Sequence, residues 1–407
     1  MKNNEAQRCL LCAKPLCSQA CPVHTPVPLC MKLYREDRLA EAGEILYRNN
    51  PLSAVTALVC DWERSCLGHC VLNRRNMPVR WYEIEHEISW EYLKNLHLQN
   101  GESGKGTVSI VGAGPAGIAA ALWLREYGFG VQVYDANPRI GGVLRYGIPP
   151  FRLDRKYTDE YERLFDEAGI VFHGNTVIGR DRDLREIEAS SQAVIIAAGA
   201  EKPARLNIPG EELSHVIYAT DYLKNPQAFA IGKKVIVVGG GNVAMDACRT
   251  AIRSGAETWV YYRKTFENMP AGRSEVKEAC DEGVQIVTFR APVEIRGGSA
   301  VFRECENVTD PATGRISTRI IDGTDHEVPC DTFIVAISEK ADLSVFGDAM
   351  PELDKYGYPV TDADGRIPGT RIFEAGDFHT GPKSVVAAVA GARKAVTAIA
   401  GQASGNV

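Results

Sequence analysis

Two glycine-rich turns, each between a β-branched strand and a helix, constrain the fold of this 407-residue chain more than any other feature. In such a βαβ unit the first glycine makes a tight turn, the second lets a pyrophosphate reach backbone N–H groups, and the third lets the helix pack on the strand. The two units begin about 125 residues apart and form an internal repeat. Strands that alternate with helices around them predict an α/β fold with parallel sheets and two Rossmann-like dinucleotide-binding domains. The small residues of the first turn are Gly112, Gly114 and Gly117, and those of the second are Gly239, Gly241 and Ala244.

The residues at the end of the second strand of each unit differ in charge, which predicts different ligands. In the first unit Asp135 stands there, and a carboxylate at this position accepts hydrogen bonds from ribose hydroxyls. In the second unit Arg263 and Lys264 replace the acid, with Arg273 as a third cation nearby. A guanidinium can hold a 2′-phosphate that a carboxylate would repel, which favours NADPH over NADH. A solvated surface pair is the alternative, and it stays open for Lys264 in particular.

Eight of the twelve cysteines lie in the first 70 residues, which separates a Cys-rich head from a Cys-poor body. Tight spacing lets three thiolates from one loop bind one face of an iron–sulfur cluster, and the last cysteine of a run that ends in Cys-Pro often binds a different cluster. Zinc and free structural cysteines are the alternatives, but gaps of four and five residues and an odd count suit zinc poorly. Seven cysteines form the two runs, one fewer than two four-thiolate clusters need: Cys9, Cys12, Cys17, Cys21, Cys60, Cys66 and Cys70. Cys30 lies outside both runs and is predicted to be a buried helix residue.

Composition argues against several other classes of protein. The formal net charge of −6 leaves no basic face for nucleic acid. The N-terminus has no apolar segment typical of a secretory signal, and no apolar run is long enough to span a bilayer. We therefore expect a soluble cytoplasmic protein with no membrane partner, in a compartment where thiols stay reduced and cysteine clusters bind metal.

The body resembles the flavoprotein class with two dinucleotide-binding domains, in which the first domain binds FAD and the second, inserted domain binds NAD(P)H. Besides the two turns, the resemblance rests on Gly141–Gly142, on Ala197–Gly199 at the crossover between domains, and on Ala375–Asp377 near the C-terminus. It implies that Asp377 beside Gly376 holds the ribityl chain. The helix after Ser384, starting at Val385, would point its N-terminus at the flavin edge that becomes negative on reduction.

Nearly the whole chain is similar to the glutamate synthase small-subunit family. That family includes the flavin subunit of bacterial dihydropyrimidine dehydrogenase and the large subunit of the electron-bifurcating ferredoxin:NADP oxidoreductase. The motifs are RCLLC, NPLSAV, GAGPAG, YGIPPFRL, GGGNVAMD, NMPAGR and AGD. The sequence departs from the family pattern at Asp61, at Asn242 in the second glycine turn, where an acid is common, and at Ala336–Lys340.

The resemblance also implies the ligands of two 4Fe–4S clusters. Cys9, Cys12, Cys17 and Cys70 would bind one, and Cys21, Cys60, Cys66 and Glu85 the other. A surface glutamate at the same helical position is the alternative for Glu85. Arg152 would lie between flavin and cluster, with an ordinary surface arginine as the alternative.

The expected domains are an α-helical cluster domain (1–100), the first part of the FAD-binding domain (106–215), the NAD(P)H-binding domain (216–330) and the second part of the FAD-binding domain (331–407). A small polar linker, Asn100–Gly106, should follow the head.

The expected activity is hydride transfer from NADPH to FAD, followed by single-electron transfer through the clusters to a partner protein or catalytic subunit in a hetero-oligomer, with ferredoxin among the candidates. No general acid or base is nominated, because hydride transfer needs stacking and orientation. A non-catalytic electron-wire or scaffold subunit is the alternative. A disulfide reductase would need a cysteine pair in the body, where Cys248 and Cys280 stand alone.

Overall fold

The computed structural model describes residues 4–101, 104–309, 311 and 316–404, so Glu102 and Ser103 of the expected linker lie outside the described residues. The chain forms two compact units. Unit 1 contains Met1–Arg145, Pro150–Lys202 and Lys340–Val407, and unit 2 contains Tyr146–Pro149 and Pro203–Glu339. No helix among the described residues is both long and apolar enough to cross a membrane.

The first hundred residues are helical, as the apolar spacing predicts. The helices are α1 (Glu5–Arg8), α2 (Leu16–Ala20), α3 (Val27–Arg35), α4 (Leu39–Asn49), α5 (Ser53–Val59) and α6 (Trp81–Asn95), with a 3-10 turn at Val71–Arg75. Their apolar faces form a shared core around Met31, Leu46 and Ile84. Cys30 is fully buried in α3, which confirms the prediction for that residue.

The rest of unit 1 is a doubly wound parallel sheet. Its elements are β1 (Thr107–Val111), α7 (Pro115–Glu126), β2 (Gly130–Tyr134), α8 (Val143–Tyr146), α9 (Arg155–Glu167), β3 (Val171–His173), α10 (Leu184–Ala189), β4 (Ala193–Ile196), a 3-10 turn (Leu343–Phe346), β16 (Ile372–Glu374), α14 (Asp377–Thr380) and α15 (Val385–Ser404). The strand order is β16-β4-β1-β2-β3, and every pairing is parallel. Helices cover the sheet, so β4 reads as an uninterrupted apolar run buried along its length.

Unit 2 repeats this design and adds an antiparallel sheet. Its elements are β6 (Val216–Tyr218), α11 (Ala219–Lys224), β7 (Lys234–Val238), α12 (Asn242–Arg253), β8 (Glu257–Tyr262), α13 (Arg273–Asp281), β9 (Gln285–Thr288), β10 (Arg290–Arg296), β11 (Ser299–Thr309), β12 (Ile316–Ile320), β13 (His326–Pro329) and β14 (Thr332–Val335), with 3-10 turns at Pro226–Ala228 and Phe266–Asn268. Short strands β5 (Lys202–Pro203) and β15 (Glu339–Lys340) lie where the chain passes between the units.

The parallel sheet of unit 2 has the order β6-β14-β7-β8-β9. Strand β11 pairs antiparallel with β10, β12 and β13 in a separate sheet. This second sheet is a difference from the expectation of parallel sheets alone. Strands β10 and β11 are joined by a short turn at Gly297–Gly298, which only antiparallel pairing allows. In both units the glycine turns lie at the carboxyl end of the parallel sheet, the edge at which α/β folds bind ligands.

Candidate cofactor sites

The first glycine turn has no room for side chains on its protein side. Gly112 has φ 104°, and a Cβ there would lie 2.3 Å from the Ala197 carbonyl oxygen. A Cβ at Gly117 would lie 1.9 Å from the Gly112 carbonyl oxygen, so strand and helix touch at this point. A Cβ at Gly114 would meet only the Gly142 Cα, at 3.8 Å, among described atoms. The first and third glycines therefore serve packing, whereas the second leaves open the space in front of the α7 N-terminus.

Asp135 is joined to the same turn by its own side chain. Its Oδ2 accepts from the Ala113 N–H at 2.6 Å and its Oδ1 from the Asn137 N–H at 2.7 Å. The Gly141 N–H donates to the Ala113 carbonyl at 2.8 Å, and a Cβ at Gly142 would lie 2.6 Å from the Gly114 Cα. The structure thus brings the acid and the glycine pair together around Ala113.

The C-terminal segment packs against the start of α7. Gly376 has φ 65°, and a Cβ there would lie 2.9 Å from the Ala116 Cβ. Asp377 accepts from the Lys383 N–H at 3.1 Å, and burial raises the pKa of its carboxyl to about 6. Ser384 accepts from the Ala387 N–H at 3.3 Å and so caps α15. These residues and the first glycine turn surround one site in unit 1.

Two other residues expected near this site lie in loops of the same unit. Gly199 follows β4 with φ 74°, and no described atom lies within 4 Å of where its Cβ would be. Arg152 is half-buried in a turn between α8 and α9.

The second glycine turn is joined to the NMPAGR segment. Gly239 has φ 150°, and a Cβ there would lie 2.0 Å from the Ala336 carbonyl oxygen. Ala244 is fully buried, whereas a Cβ at Gly241 would meet no described atom within 4 Å. Asn242 Oδ1 accepts from the Gly272 N–H at 3.1 Å. Asn242 therefore holds the start of α13, and with it Arg273, beside the turn.

The three cations expected at this site have different surroundings. Arg263 and Arg273 are exposed, and neither forms a hydrogen bond or an ion pair with any residue that the structure describes. Lys264 Nζ instead donates to the Ile316 carbonyl of β12 at 3.1 Å. Two guanidiniums are thus free to meet a phosphate, while the ammonium is already engaged with the hairpin.

The head contains a cavity surrounded by the first expected set of cluster ligands. Cys9, Cys12, Cys17 and Cys70 all line it, together with Cys66. Its remaining wall is apolar and includes the side chains of Leu10, Pro15, Leu16, Val27, Met31, Leu72 and Trp81. An apolar wall with five cysteine sulfurs around it suits a group that carries its own charge.

A second cavity is lined by the other expected set. Cys21, Cys60, Cys66 and Glu85 all face it. Asn50, Thr56, Trp62 and Ser65 add polar groups, and Val386 of α15 contributes to its wall. Because Cys66 lines both cavities, the two are neighbours.

The donor chemistry of both cavities fits iron–sulfur clusters. Burial raises the pKa of the Cys60 and Cys66 thiols far above the ordinary value, and it raises that of Glu85 to about 8. Groups buried in this way ionise only when a positive charge compensates them, and cluster iron supplies that charge. Among the described residues, no three His, Cys, Asp or Glu side chains form a site for a single metal ion.

Several residues of these sites were missed in the sequence. Trp62, which lines the second cavity, stacks on Tyr82 with ring centroids 4.0 Å apart. Asn50 Nδ2 donates to the Thr56 hydroxyl at 2.9 Å in the same wall. Asn50 belongs to the NPLSAV motif, which was a usable signal, whereas nothing in the sequence links Val386 to cysteines more than 300 residues away.

Comparison with known proteins agrees with this arrangement. Residues 106–392 match the family model of pyridine nucleotide-disulphide oxidoreductases, and residues 1–95 match that of dihydropyrimidine dehydrogenase domain II, 4Fe-4S cluster. The chain is 34% identical to the glutamate synthase [NADPH] small chain of Azospirillum brasilense, over 98% of this chain and 88% of that protein. It is 33% identical to the Escherichia coli (strain K12) protein of that name, over 97% of this chain and 90% of that one.

Solved structures resemble it at the level of fold. FprA from Mycobacterium tuberculosis in complex with NADPH has a TM-score of 0.65 and 20% identity, covering 74% of this chain and 85% of that one. A 2-naphthoyl-CoA reductase has a TM-score of 0.58 and 18% identity, covering 90% of this chain and 52% of that one.

Fold, donor sets and family models together define a flavoprotein oxidoreductase that uses FAD, a nicotinamide nucleotide and a 4Fe–4S domain. Within that class, the chain belongs to the glutamate synthase small-chain family.

Proposed function

We propose that this chain oxidises NADPH, takes the hydride onto FAD and sends single electrons through two 4Fe–4S clusters to a partner protein. One observation carries the proposal. Val386, the second residue of α15, lines the cavity of Cys21, Cys60, Cys66 and Glu85. Helix α15, which is expected to face the flavin, therefore also forms part of the wall of the second cavity. Electron transfer between flavin and cluster needs such proximity.

The residues of unit 1 have distinct tasks toward FAD. The open backbone N–H groups at the start of α7 bind the pyrophosphate, and Asp135 binds the adenosine ribose. Asp377 holds the ribityl chain, and the capped N-terminus of α15 stabilises negative charge at the flavin edge. When bound, the flavin converts a two-electron hydride into single electrons. We assign no general base, because hydride transfer needs stacking and orientation.

The residues of unit 2 would select NADPH. Arg263 and Arg273 hold the 2′-phosphate, since both guanidiniums are exposed and neither pairs with a described residue. Lys264 positions the β12 hairpin instead, through its bond to the Ile316 carbonyl. The relatives from Azospirillum brasilense and Escherichia coli are both named as NADPH enzymes, which supports the same preference.

The partner would dock at the mouth of the first cavity, whose wall contains no described residue of α15. Leu10 and Leu16, which line that cavity, and Met77 in the loop after its 3-10 turn are 60%, 40% and 59% exposed. Exposed apolar side chains beside a redox site are typical of a docking surface. We define this docking surface as Leu10, Leu16 and Met77 with their neighbouring cations Lys14, Arg74 and Arg75.

The charge of the docking surface indicates an acidic partner. Lys14, Arg74 and Arg75 form no ion pair within the described part of the chain, although the chain as a whole carries −6. Unpaired cations around an apolar centre fit an electron acceptor with an acidic face, whether a catalytic subunit or a ferredoxin-like protein. Cysteines that bind clusters are suited to a reducing compartment, so a cytoplasmic location is part of the proposal.

Anaerobic purification tests the proposal. The chain should carry about eight iron atoms, as two 4Fe–4S clusters require. NADPH should bleach the flavin absorbance and support reduction of an artificial dye. About four iron atoms would leave only one cluster, and zinc in place of iron would remove both. A flavin that NADPH does not bleach would reduce the chain to an electron-wire or scaffold subunit.

A further inference from the structure

One face of α15 carries both a residue of the second cavity's wall and an arginine. Val386 lines the cavity, and Arg393 stands seven residues later. Seven residues are about two helical turns, so both side chains project from the same face, about 10 Å apart along the axis.

The guanidinium of Arg393 lies beside the loop that carries Cys21. Its Nη1 donates to the Val23 carbonyl at 3.4 Å, two residues beyond Cys21. Its carbon atom lies 5.2 Å from the centroid of the Trp123 ring of α7. Arg393 thus touches both the flavin-binding helix and the cysteine loop.

This cation is half-buried, and one of its two terminal nitrogens lacks a partner within the described part of the chain. Its Nη2 is inaccessible to solvent and has no hydrogen-bond partner among the described residues, and no described carboxylate forms an ion pair with it. An arginine stays protonated in a protein, so the charge is permanent. A partly desolvated charge that no carboxylate neutralises is costly, and a negative group nearby in the functional state would offset that cost. The Cys21 sulfur is the nearby group that becomes negative when it binds iron.

We infer that Arg393 raises the reduction potential of the cluster held by Cys21, Cys60, Cys66 and Glu85, and so draws electrons from the flavin. This inference rests on the proposed function. A reduced cluster carries one more negative charge than an oxidised one, so a fixed cation nearby stabilises the reduced form. Arg393 touches no reacting atom, so its effect on electron transfer comes only from its charge near the cluster.

The decisive measurement is an EPR-monitored redox titration of the anaerobic, full-length protein. Arg393→Gln should move the potential of one cluster to more negative values and leave the other unchanged. A fixed charge at this range alters the flavin–cluster equilibrium about tenfold, which corresponds to about 59 mV for one electron. Arg393→Lys, which keeps the charge, should retain most of the wild-type potential.

The matched control is Arg38→Gln, which removes an exposed arginine paired with Glu36 and Glu41. It should shift neither potential. If Arg393→Gln retains its iron and both potentials stay at wild-type values, the inference is wrong. A loss of iron in Arg393→Gln that Arg393→Lys restores would support the need for a cation at the cluster. A loss of iron in both variants would make Arg393 a packing residue and overturn the inference.

The same experiment distinguishes a failure of the proposed function from a failure of this inference. A wild-type chain without two clusters would contradict the proposed function itself. Two clusters with potentials indifferent to Arg393 would contradict only this inference.

Discussion

At the scale of single residues, the three small residues of each glycine turn have different reasons to be small. Gly112 and Gly117 are small because the protein's own backbone approaches within 2.3 Å and 1.9 Å of where a Cβ would be. Gly114 has ordinary space and faces the site expected for the pyrophosphate. A motif read as one unit therefore separates into packing positions and a ligand position.

Alanine at Gly117 and at Gly114 should have different consequences. Gly117→Ala forces helix and strand apart and should lower the free energy of unfolding by about 1–3 kcal/mol, even without FAD. Gly114→Ala should fold normally and lose FAD affinity, because its methyl group takes the place of the pyrophosphate. Thermal unfolding and bound-flavin content check both. Equal destabilisation by the two variants would contradict the division of roles.

Nucleotide preference should depend on Arg263 and much less on Lys264. Arg263→Gln removes a charge-assisted hydrogen bond to the 2′-phosphate and should lower kcat/KM for NADPH about 10- to 100-fold, with little change for NADH. Lys264→Gln is the matched control, because its ammonium already serves the Ile316 carbonyl. Steady-state dye reduction with both nucleotides measures the ratio. A similar loss with NADH would show that Arg263 has a structural role.

At the scale of elements, the ends of helices lie at the expected cofactor sites, and ion pairs fix one helix against another. Ser384 caps the N-terminus of α15, which is expected to face the flavin, and Val386 in the first turn of α15 lines the second cavity of the head. In unit 2, Arg249 of α12 is 4% exposed and pairs with Glu275 and Glu278 of α13 and with Glu282, the residue that follows α13. Since α13 begins at Arg273, this network orients a residue expected to bind the nucleotide.

Loss of Arg249 should therefore weaken both stability and NADPH binding. Arg249→Met removes the cation that the three glutamates share and should cost about 1–3 kcal/mol, because they are 16%, 54% and 22% exposed and Glu282 keeps its pair with Arg253. It should also raise KM for NADPH, because α13 is no longer held beside the turn. Arg253→Met, at a 47% exposed side chain that pairs with Glu282, should cost less than about 1 kcal/mol. Denaturant titration of the two variants decides, and equal costs would refute a special role for the buried pair.

At the scale of the whole molecule, the chain joins two different kinds of chemistry by contacts that are distant in sequence. Within unit 1, the head and the C-terminal helix meet at the second cavity, through Cys21 and Val386. The first cavity lies next to it and opens among exposed apolar and basic residues. Electrons that enter at the flavin are therefore expected to leave at the docking surface.

Reversal of charge on the docking surface should slow transfer to a natural acceptor without affecting the flavin. Arg74→Glu combined with Arg75→Glu should reduce the rate with an acidic electron-transfer protein about tenfold at low salt, with a smaller difference at high salt. Dye reduction should stay at the wild-type rate. Arg48→Glu, on the head but paired with Glu44, is the control. A faster reaction in the double variant would indicate a basic partner.

Much of this protein is determined by local sequence. The glycine turns could be recognised because positive φ and close backbone contacts leave few other residues acceptable at Gly112 or Gly239. The cysteine runs could be recognised because metal-binding loops need tight spacing. The division of the cysteines into two ligand sets came only from family resemblance and stays a prediction; each set lines one cavity, but Cys66 lines both.

Only the tertiary structure decided the contacts between segments that are far apart in the chain. No periodicity or spacing in the sequence signals three of these features. They are the hydrogen bond from Lys264 to Ile316, the place of Val386 in the wall of the second cavity, and the Arg393 nitrogen without a partner among the described residues. The antiparallel sheet around β11 was missed because its strands mix polar and apolar residues and contain no uninterrupted apolar run like that of β4. Local sequence sets backbone conformation and ligand chemistry, whereas long-range packing sets which charge faces which cavity, since that depends on how the whole chain closes around its core.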